Sequence, residues 1–189
     1  MLQIWNHYGK RGVAVEQKLI LDEKAMERAI ARISYEIIER NKGAENLCVI
    51  GILSRGAELG RRIAGRIEQV EGRPVPFGTL DITPFRDDKR PDGTHADQTD
   101  IPFEVEGKEV VLVDDVMYTG RSARSAMDAV IQRGRPKTVR LAVLVDRGHR
   151  ELPIRADFVG KNLPTSRQET VRVLVKERDG VNSVILLSE

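Results

Sequence analysis

The sequence predicts an α/β protein with a mostly parallel central sheet flanked by helices. Short, nearly all-apolar runs, typical of strands buried on both faces, alternate along the chain with segments whose apolar residues recur at helical spacing. The length of 189 residues and the hydrophobic fraction of 40% suit one ordinary domain with its own core. Because parallel neighbours need crossover connections, this alternation favours a parallel sheet covered by helices.

The first half of the chain contains two helix and two strand candidates. Residues 1–17 show no clear periodicity, and we expect a loosely held extension there, before a single domain of residues 18–189. A helix is predicted over residues 22–41, because Asp22 can cap its start and apolar residues recur on one face. The elements predicted next are a strand at 47–53, a helix at 55–71 and a strand at 75–83.

The second half begins with a long polar loop at residues 85–100. Loops of this length in compact domains are usually lids, binding loops or disordered segments. The elements predicted after it are a strand at 108–113, a helix at 122–133 and a strand at 138–145. Beyond Asp146 the pattern changes, and short extended pieces predict a small antiparallel appendage at residues 157–161, 170–175 and 183–187.

Composition and charge exclude several classes of protein. The net charge of +2 does not by itself indicate a nucleic-acid binder, although basic residues can still cluster on one face. Cys48 lies in an apolar run and is interpreted as a buried hydrophobe rather than a reactive thiolate. One cysteine permits no intrachain disulfide, and no apolar run approaches the roughly 20 residues of a membrane span. We therefore expect a cytoplasmic protein with no membrane partner.

Residues 113–122 carry the strongest chemical signal. A buried strand runs into Asp114 and Asp115, and a turn with hydroxyl groups and Gly120 leads into the next helix. In a parallel sheet the acids would stand at the ligand crevice, and the turn would present N–H groups to an anion. A ribose 5-phosphate fits both halves, with its phosphate on residues 118–122 and its hydroxyls on the carboxylates. One acid could instead act through water or Mg²⁺. The alternative is a buried strand that merely ends in a polar turn.

A second candidate element ends the first core strand. Ser54 and Gly56 suit a tight anion-binding turn, and Arg55 supplies a permanently charged fork of donors. The alternative for Ser54 is a simple helix N-cap.

The paired acids and the Thr-Gly-Arg-Ser turn resemble the phosphoribosyl pyrophosphate (PRPP) signature of type I phosphoribosyltransferases. From about Leu21 onward the chain also resembles the PyrR family, which combines uracil phosphoribosyltransferase activity with regulation of pyrimidine operons. The runs that carry this second resemblance are residues 39–43, 81–83, 86–88, 134–136, 145–157 and 160–162. The resemblance implies the type I phosphoribosyltransferase fold with a flexible lid loop. It also implies conversion of uracil and PRPP to UMP and pyrophosphate with Mg²⁺.

The resemblance assigns roles to individual residues. The pyrophosphate loop matches residues 54–56, the catalytic loop matches residues 86–88, and the catalytic set is Arg55, Arg86, Asp114 and Asp115. The residues expected to bind PRPP or UMP are Ser54, Arg55, Gly56, Asp87, Asp88, Asp114, Asp115, Val116, Met117, Tyr118, Thr119, Gly120, Arg121 and Ser122. The two acids are also expected near Mg²⁺, mainly through PRPP or water. Asp146 and Arg147 are candidates for the uracil pocket, with a structural ion pair as the alternative.

The resemblance also implies binding to a stem-loop in the pyrimidine-operon mRNA leader, favoured by UMP or UTP, and a homodimer or larger homo-oligomer. The residues that match the RNA face are Arg32, Arg40, His149, Arg150, Arg155 and Lys161. Such basic side chains supply the salt-dependent contacts to phosphate, but a solvated surface is the alternative. The family usually has a hydroxyl and an imidazole where this chain has Ala31 and Tyr35. Tyr35 could stack on a base, or the RNA site could have been lost.

Four functions therefore stay open. The first is a uracil phosphoribosyltransferase that also regulates its operon through RNA. The second is the enzyme without RNA regulation, and the third is a regulator with vestigial catalysis. The fourth is a phosphoribosyltransferase for another base, such as hypoxanthine, although the long match over residues 146–161 argues against it.

Overall fold

The computed structural model describes residues 7–8, 14–87 and 96–188. Numbered in chain order, the strands of this part are β1 (His7–Tyr8), β2 (Ala14–Leu21), β3 (Leu47–Ile52), β4 (Phe77–Leu80), β5 (Glu109–Met117), β6 (Thr138–Asp146), β7 (Phe158–Asn162), β8 (Thr170–Leu174) and β9 (Ser183–Ser188). Its helices are α1 (Glu23–Asn41), α2 (Arg55–Glu71), α3 (Arg121–Ile131) and α4 (Lys176–Asp179), with a 3-10 turn at Thr83–Phe85.

The central sheet has the strand order β4-β3-β5-β6-β7, and all its neighbours run parallel. Every residue of β3 is buried, because helices cover both faces of the sheet. Val49 packs in the cluster formed with α1 and α2, whereas Cys48 packs in the cluster formed with α3. Burial raises the pKa of the Cys48 thiol to about 12, as expected for an inert core cysteine. The predicted parallel sheet between helices is confirmed.

One strand belongs to a different sheet from the one predicted. The segment near residues 157–161 was expected in the antiparallel appendage, but β7 pairs parallel with β6 at the edge of the central sheet. Phe158 is buried in the core cluster of that sheet. The prediction was wrong because a five-residue, half-buried edge strand has no apolar run long enough to indicate which sheet it joins.

The second sheet is antiparallel and has the order β1-β2-β9-β8. It contains the predicted appendage strands β8 and β9, together with β2. Glu16 and Gln17, the last residues of the expected 1–17 extension, belong to β2 and pair with Ser188 and Leu187. These residues gain their order from the last strand of the chain, a partner that local periodicity does not reveal.

The topology places the chemistry at the carboxyl edge of the central sheet. In register, Gly51 of β3 lies beside Val113 of β5, and Met117 of β5 lies beside Asp146 of β6. The turns that follow these strands therefore meet at one edge, where open α/β sheets bind ligands. In the part of the chain that the structure describes, no helix combines the length and the apolar character needed to cross a membrane.

Candidate active site

The two acids of the motif lie within β5 rather than after it. The strand continues to Met117, so the turn comprises residues 118–120 and α3 begins at Arg121. The backbone N–H of Asp115 donates to the Asp114 carboxylate at 2.9 Å, and the N–H of Val116 donates to the Asp115 carboxylate at 2.8 Å. Each carboxylate is thereby held in place by the residue that follows it.

The two carboxyl groups repel each other in a poorly solvated position. Burial, and then the neighbouring charge of Asp115, raises the pKa of Asp114 well above its ordinary value. Burial also raises the pKa of Asp115, while its hydrogen bonds and the charge of Arg55 act in the opposite direction. A pair of this kind is best stabilised by a cation or by hydroxyl donors, both of which a sugar phosphate with a metal ion would supply.

The turn forms one wall of a cavity of about 360 Å³. Gly120 has φ +95°, a conformation that glycine adopts without strain, and it directs the chain into α3. Residues of the predicted PRPP motif dominate the lining, which consists of Arg86, Asp114, Val116, Met117, Tyr118, Thr119, Gly120, Arg121, Ser122, Ala123, Leu141, Val143 and Glu151. The structure therefore brings the predicted phosphate turn and one predicted acid into one cavity.

A second cavity of about 440 Å³ adjoins the first, because Arg86, Asp114, Val116 and Ser122 line both. Its other lining residues are Ile52, Leu53, Ser54, Arg55, Asp81, Ile82, Thr83, Gln98 and Asp115. We call the two cavities together the crevice. The predicted pyrophosphate loop and the predicted ribose site thus face one continuous space.

The loop after β3 has the predicted position, but its residues act in different ways. Ser54 stands at the N-cap position of α2 and makes no capping hydrogen bond, so a capping role for its hydroxyl is not borne out. Gly56 is required by packing, because a Cβ there would lie 2.5 Å from the carbonyl oxygen of Val113. Arg55 lines the crevice and also forms a two-pronged ion pair with Asp179 of α4, at 2.8 and 3.1 Å. Sequence reasoning did not identify Asp179.

The polar loop is anchored where it leaves the sheet. Arg86 lines both cavities, and Asp87 pairs with Arg121 at 2.7 Å. Asp88 lies outside the described residues. Asp81, which we did not assign to the site, is buried and accepts hydrogen bonds from the N–H of Thr83 and of Gln98. Asp81 therefore holds both ends of the loop. Its position directly before Ile82 and Thr83 was the sequence signal that could have identified it.

The two residues proposed for the uracil pocket do not line the crevice. Asp146 forms a structural ion pair, and its partner is Arg150. Arg147 is buried and donates to Thr165 and to the carbonyl oxygens of Ser166 and Glu169. Its guanidinium lies 4.3 Å from the centre of the Tyr118 ring and so packs against the turn of residues 118–122, which we call the PRPP turn after its predicted ligand.

Some of the basic residues predicted to bind RNA are engaged within the protein. Arg32 donates to Glu36 and to the carbonyl oxygens of Val159 and Gly160. His149 contacts the carbonyl oxygen of Thr165 at 2.5 Å.

Arg150 is held most tightly of the predicted RNA-binding residues. It donates to the carbonyl oxygens of Tyr118, Gly148 and Ile154 and pairs with Asp146. Because Tyr118 belongs to the PRPP turn, these contacts tie Arg150 to that turn.

The remaining basic residues are less engaged. Arg40 and Arg155 are exposed and Lys161 is half-buried, and no hydrogen bond or ion pair of these side chains is found among the described residues. Tyr35 of α1 is also exposed, at 55%.

Comparison with known proteins identifies the class. The family model described as a phosphoribosyl transferase domain matches residues 16–176. Two solved hypoxanthine phosphoribosyltransferases, from Staphylococcus aureus and Trypanosoma cruzi, align with TM-scores of 0.66 and 0.70 at 19% and 18% identity. They cover 89% and 90% of this chain, and the alignments span 90% and 96% of theirs. The fold is that of a type I phosphoribosyltransferase.

The curated relatives narrow the class further. The pyrimidine operon regulatory protein of Lactococcus lactis subsp. lactis is 55% identical over 173 residues, covering 92% of this chain and 98% of the relative. The bifunctional protein PyrR of Pelotomaculum thermopropionicum is 56% identical over 180 residues, covering 93% and 98%. The chain belongs to the PyrR family of phosphoribosyltransferases.

Proposed function

We propose that the protein converts uracil and PRPP to UMP and pyrophosphate in the crevice. The observation that carries the proposal is the shared space between Asp114, Asp115, the turn of residues 118–122 and the loop of Ser54 and Arg55. The 5-phosphate would lie on the N–H groups and hydroxyls of the turn, and the ribose hydroxyls on the carboxylates. The pyrophosphate would then point toward Ser54 and Arg55.

In this reaction the bond from C1 of the ribose to the pyrophosphate oxygen breaks, and a bond from C1 to N1 of uracil forms. The N1 proton of uracil is lost, and the electron pair of the broken bond leaves with the pyrophosphate. Positive charge developing on the ribose would be stabilised by the Asp114 and Asp115 carboxylates, and negative charge on the leaving group by Arg55 and Arg86. Positioning and electrostatics therefore account for most of the proposed catalysis.

The residues present fit Mg²⁺ bound together with PRPP. Mg²⁺ commonly takes one or two protein carboxylates and completes its coordination with substrate phosphates and water. Asp114 and Asp115 supply two adjacent carboxylates, and burial raises the pKa of each, so a bound cation would stabilise their ionised forms. When bound, the ion would neutralise charge on the departing pyrophosphate.

The base specificity is tested by incubating the protein, Mg²⁺ and PRPP with uracil, hypoxanthine or orotate in parallel. We expect UMP and pyrophosphate from uracil, and no nucleotide from the other two bases. Nucleotide formation from hypoxanthine alone would replace the proposal with a purine phosphoribosyltransferase. No nucleotide from any base would leave only a regulatory function.

We also propose that the protein binds the mRNA leader of a pyrimidine operon in a manner that depends on UMP or UTP. Two observations support this: relatives at about 55% identity are named pyrimidine operon regulatory protein, and Arg40, Arg155 and Lys161 have no partners among the described residues. Exposed Tyr35 is available to stack on an unpaired base. A gel shift with the leader RNA, with and without UMP, tests the proposal. No shift under either condition would favour an enzyme without RNA regulation.

The proposal includes a homodimer or a larger homo-oligomer. Leu19, Ile131 and Val181 are large apolar side chains that stay about half exposed in the single chain, and a subunit interface would cover such groups. Light scattering at several protein concentrations would measure the mass, and a monomer throughout would contradict this part.

A further inference from the structure

The short helix α4 faces α2 through a set of matched charges, which we call the charge ladder. On α2 the signs run plus, minus, plus, and on α4 they run minus, plus, minus. The pairs are Arg55 with Asp179 at 2.8 Å, Glu58 with Arg178 at 3.3 Å and Arg62 with Glu177 at 2.6 Å. The ladder joins the C-terminal appendage to the helix that starts at the predicted pyrophosphate loop.

The sequence spacing explains the match. The three α2 residues are separated by three and four positions, so they lie on one face of the helix. The three α4 residues are consecutive and meet that face in reverse order. A shift of one position would set like charges against each other, so the ladder fixes the register of the appendage against α2.

The Arg55 end of the ladder differs from the other two pairs because Arg55 also lines the crevice. Its charge interacts with that of Asp115 across the site. Asp179 is itself firmly held: its carboxylate also accepts the backbone N–H of Val175 at 2.9 Å, and only 18% of its side chain is exposed. A fixed carboxylate therefore holds an arginine that also lines the crevice.

The ion pair with Asp179 leaves Arg55 able to bind a second anion. A guanidinium carries five N–H donors. Asp179 takes the Nε donor at 3.1 Å and one Nη2 donor at 2.8 Å, so three donors remain on the other edges. An arginine held on one edge loses little further freedom when a phosphate binds another edge.

We propose that Asp179 is a positioning residue that holds the guanidinium of Arg55 ready for the pyrophosphate end of PRPP. The C-terminal appendage thereby sets the affinity of the crevice for pyrophosphate, although no residue of α4 lines the two cavities. This inference rests on the proposed function, because it assumes that pyrophosphate lies at Arg55.

The test compares Asp179→Asn with the matched control Glu177→Gln in the full chain. Both substitutions remove one charge from the ladder, but only the first releases Arg55. For Asp179→Asn we expect the dissociation constant of Mg²⁺-pyrophosphate, measured by calorimetry, and KM for PRPP each to rise about tenfold. We expect kcat to change much less, and Glu177→Gln to stay near the wild type. Asp179→Glu should recover part of the affinity.

The outcomes separate positioning from general docking. Equal losses of pyrophosphate affinity in Asp179→Asn and Glu177→Gln would overturn the inference, because they would trace the effect to docking of α4 as a whole. Unchanged affinity in Asp179→Asn would overturn it as well. The proposed function fails in a different way: wild-type protein that binds pyrophosphate yet makes no UMP would refute the uracil activity alone, since positioning is judged by pyrophosphate affinity.

Discussion

The crevice and the predicted RNA face differ in where the structure places the residues that the sequence assigned to them. At the crevice, Asp114, Asp115, Arg55 and the PRPP turn line two adjoining cavities. On the RNA face, the predicted basic residues divide into two groups. Arg32, His149 and Arg150 are bound to backbone carbonyls, whereas Arg40, Arg155 and Lys161 make no hydrogen bond or ion pair among the described residues.

The difference follows from what fixes each side chain. The crevice residues sit at the carboxyl ends of neighbouring parallel strands, so backbone topology alone brings them together. Long basic side chains can reach solvent or a nearby carbonyl, and the choice depends on local backbone geometry. Arg150, for example, follows Gly148 and His149, both of which have positive φ, and so turns back onto the PRPP turn.

The largest effect is expected for Asp115→Asn, which removes one carboxylate from the crevice and keeps its shape. We expect kcat/KM for PRPP to fall about 100- to 1000-fold, because charge developing on the ribose loses a preorganised partner. Gel shifts without nucleotide should not change, since Asp115 does not belong to the predicted RNA face. A loss of less than about threefold would place the ribose elsewhere.

Most of the central sheet could be predicted from the sequence, because strands buried on both faces and amphipathic helices carry strong periodic signals. The pairing of β2 with β9 could not, because a strand's partner in an antiparallel sheet lies far away in sequence. The acids and the PRPP turn were likewise predictable from strand-end position. Asp179 was not, since its role depends on a contact 124 positions away from Arg55.

Arg150→Ala is expected to affect the crevice, although the sequence assigned Arg150 to the RNA face. The change removes donors to Tyr118 and Ile154 and leaves Asp146 without its ion-pair partner. We expect the free energy of unfolding to fall by about 2–3 kcal/mol. KM for PRPP should rise with it, because the PRPP turn loses its brace. Arg155→Ala serves as the control, and an Arg150→Ala variant that lost only RNA affinity would show that Arg150 acts at the surface.

The double change Arg155→Ala/Lys161→Ala tests whether the RNA face can be weakened without affecting the crevice. We expect RNA affinity to fall roughly 10- to 100-fold and to depend less steeply on salt, because two cations that would contact phosphate are gone. Uracil turnover should stay unchanged. Arg73→Ala/Arg135→Ala is the matched control, since both arginines are exposed and neither belongs to the predicted RNA face. Equal losses in the two double variants would mean that net charge, not this face, binds RNA.

The smallest effect is a change of stability with pH in Asp114→Asn without ligand. Burial and the charge of Asp115 raise the folded-state pKa of Asp114 above the unfolded value of about 3.9. The contribution of Asp114 to stability is therefore complete below the unfolded pKa and is lost as pH rises through the folded pKa. Asparagine stays neutral, so we expect equal Tm values near pH 4 and a Tm about 2–4 °C higher for the variant at pH 8.

Thermal unfolding of both proteins across this pH range checks the expectation, with Arg155→Ala as a variant whose pH profile should follow the wild type. Mg²⁺ and PRPP should reverse the order at pH 8, since only the wild type gains a charge partner for the carboxylate. A ligand-free Asp114→Asn variant less stable than the wild type at pH 8 would show that the ionised carboxylate stabilises the fold. The crevice could then no longer be described as a site whose ionised carboxylate destabilises the ligand-free fold.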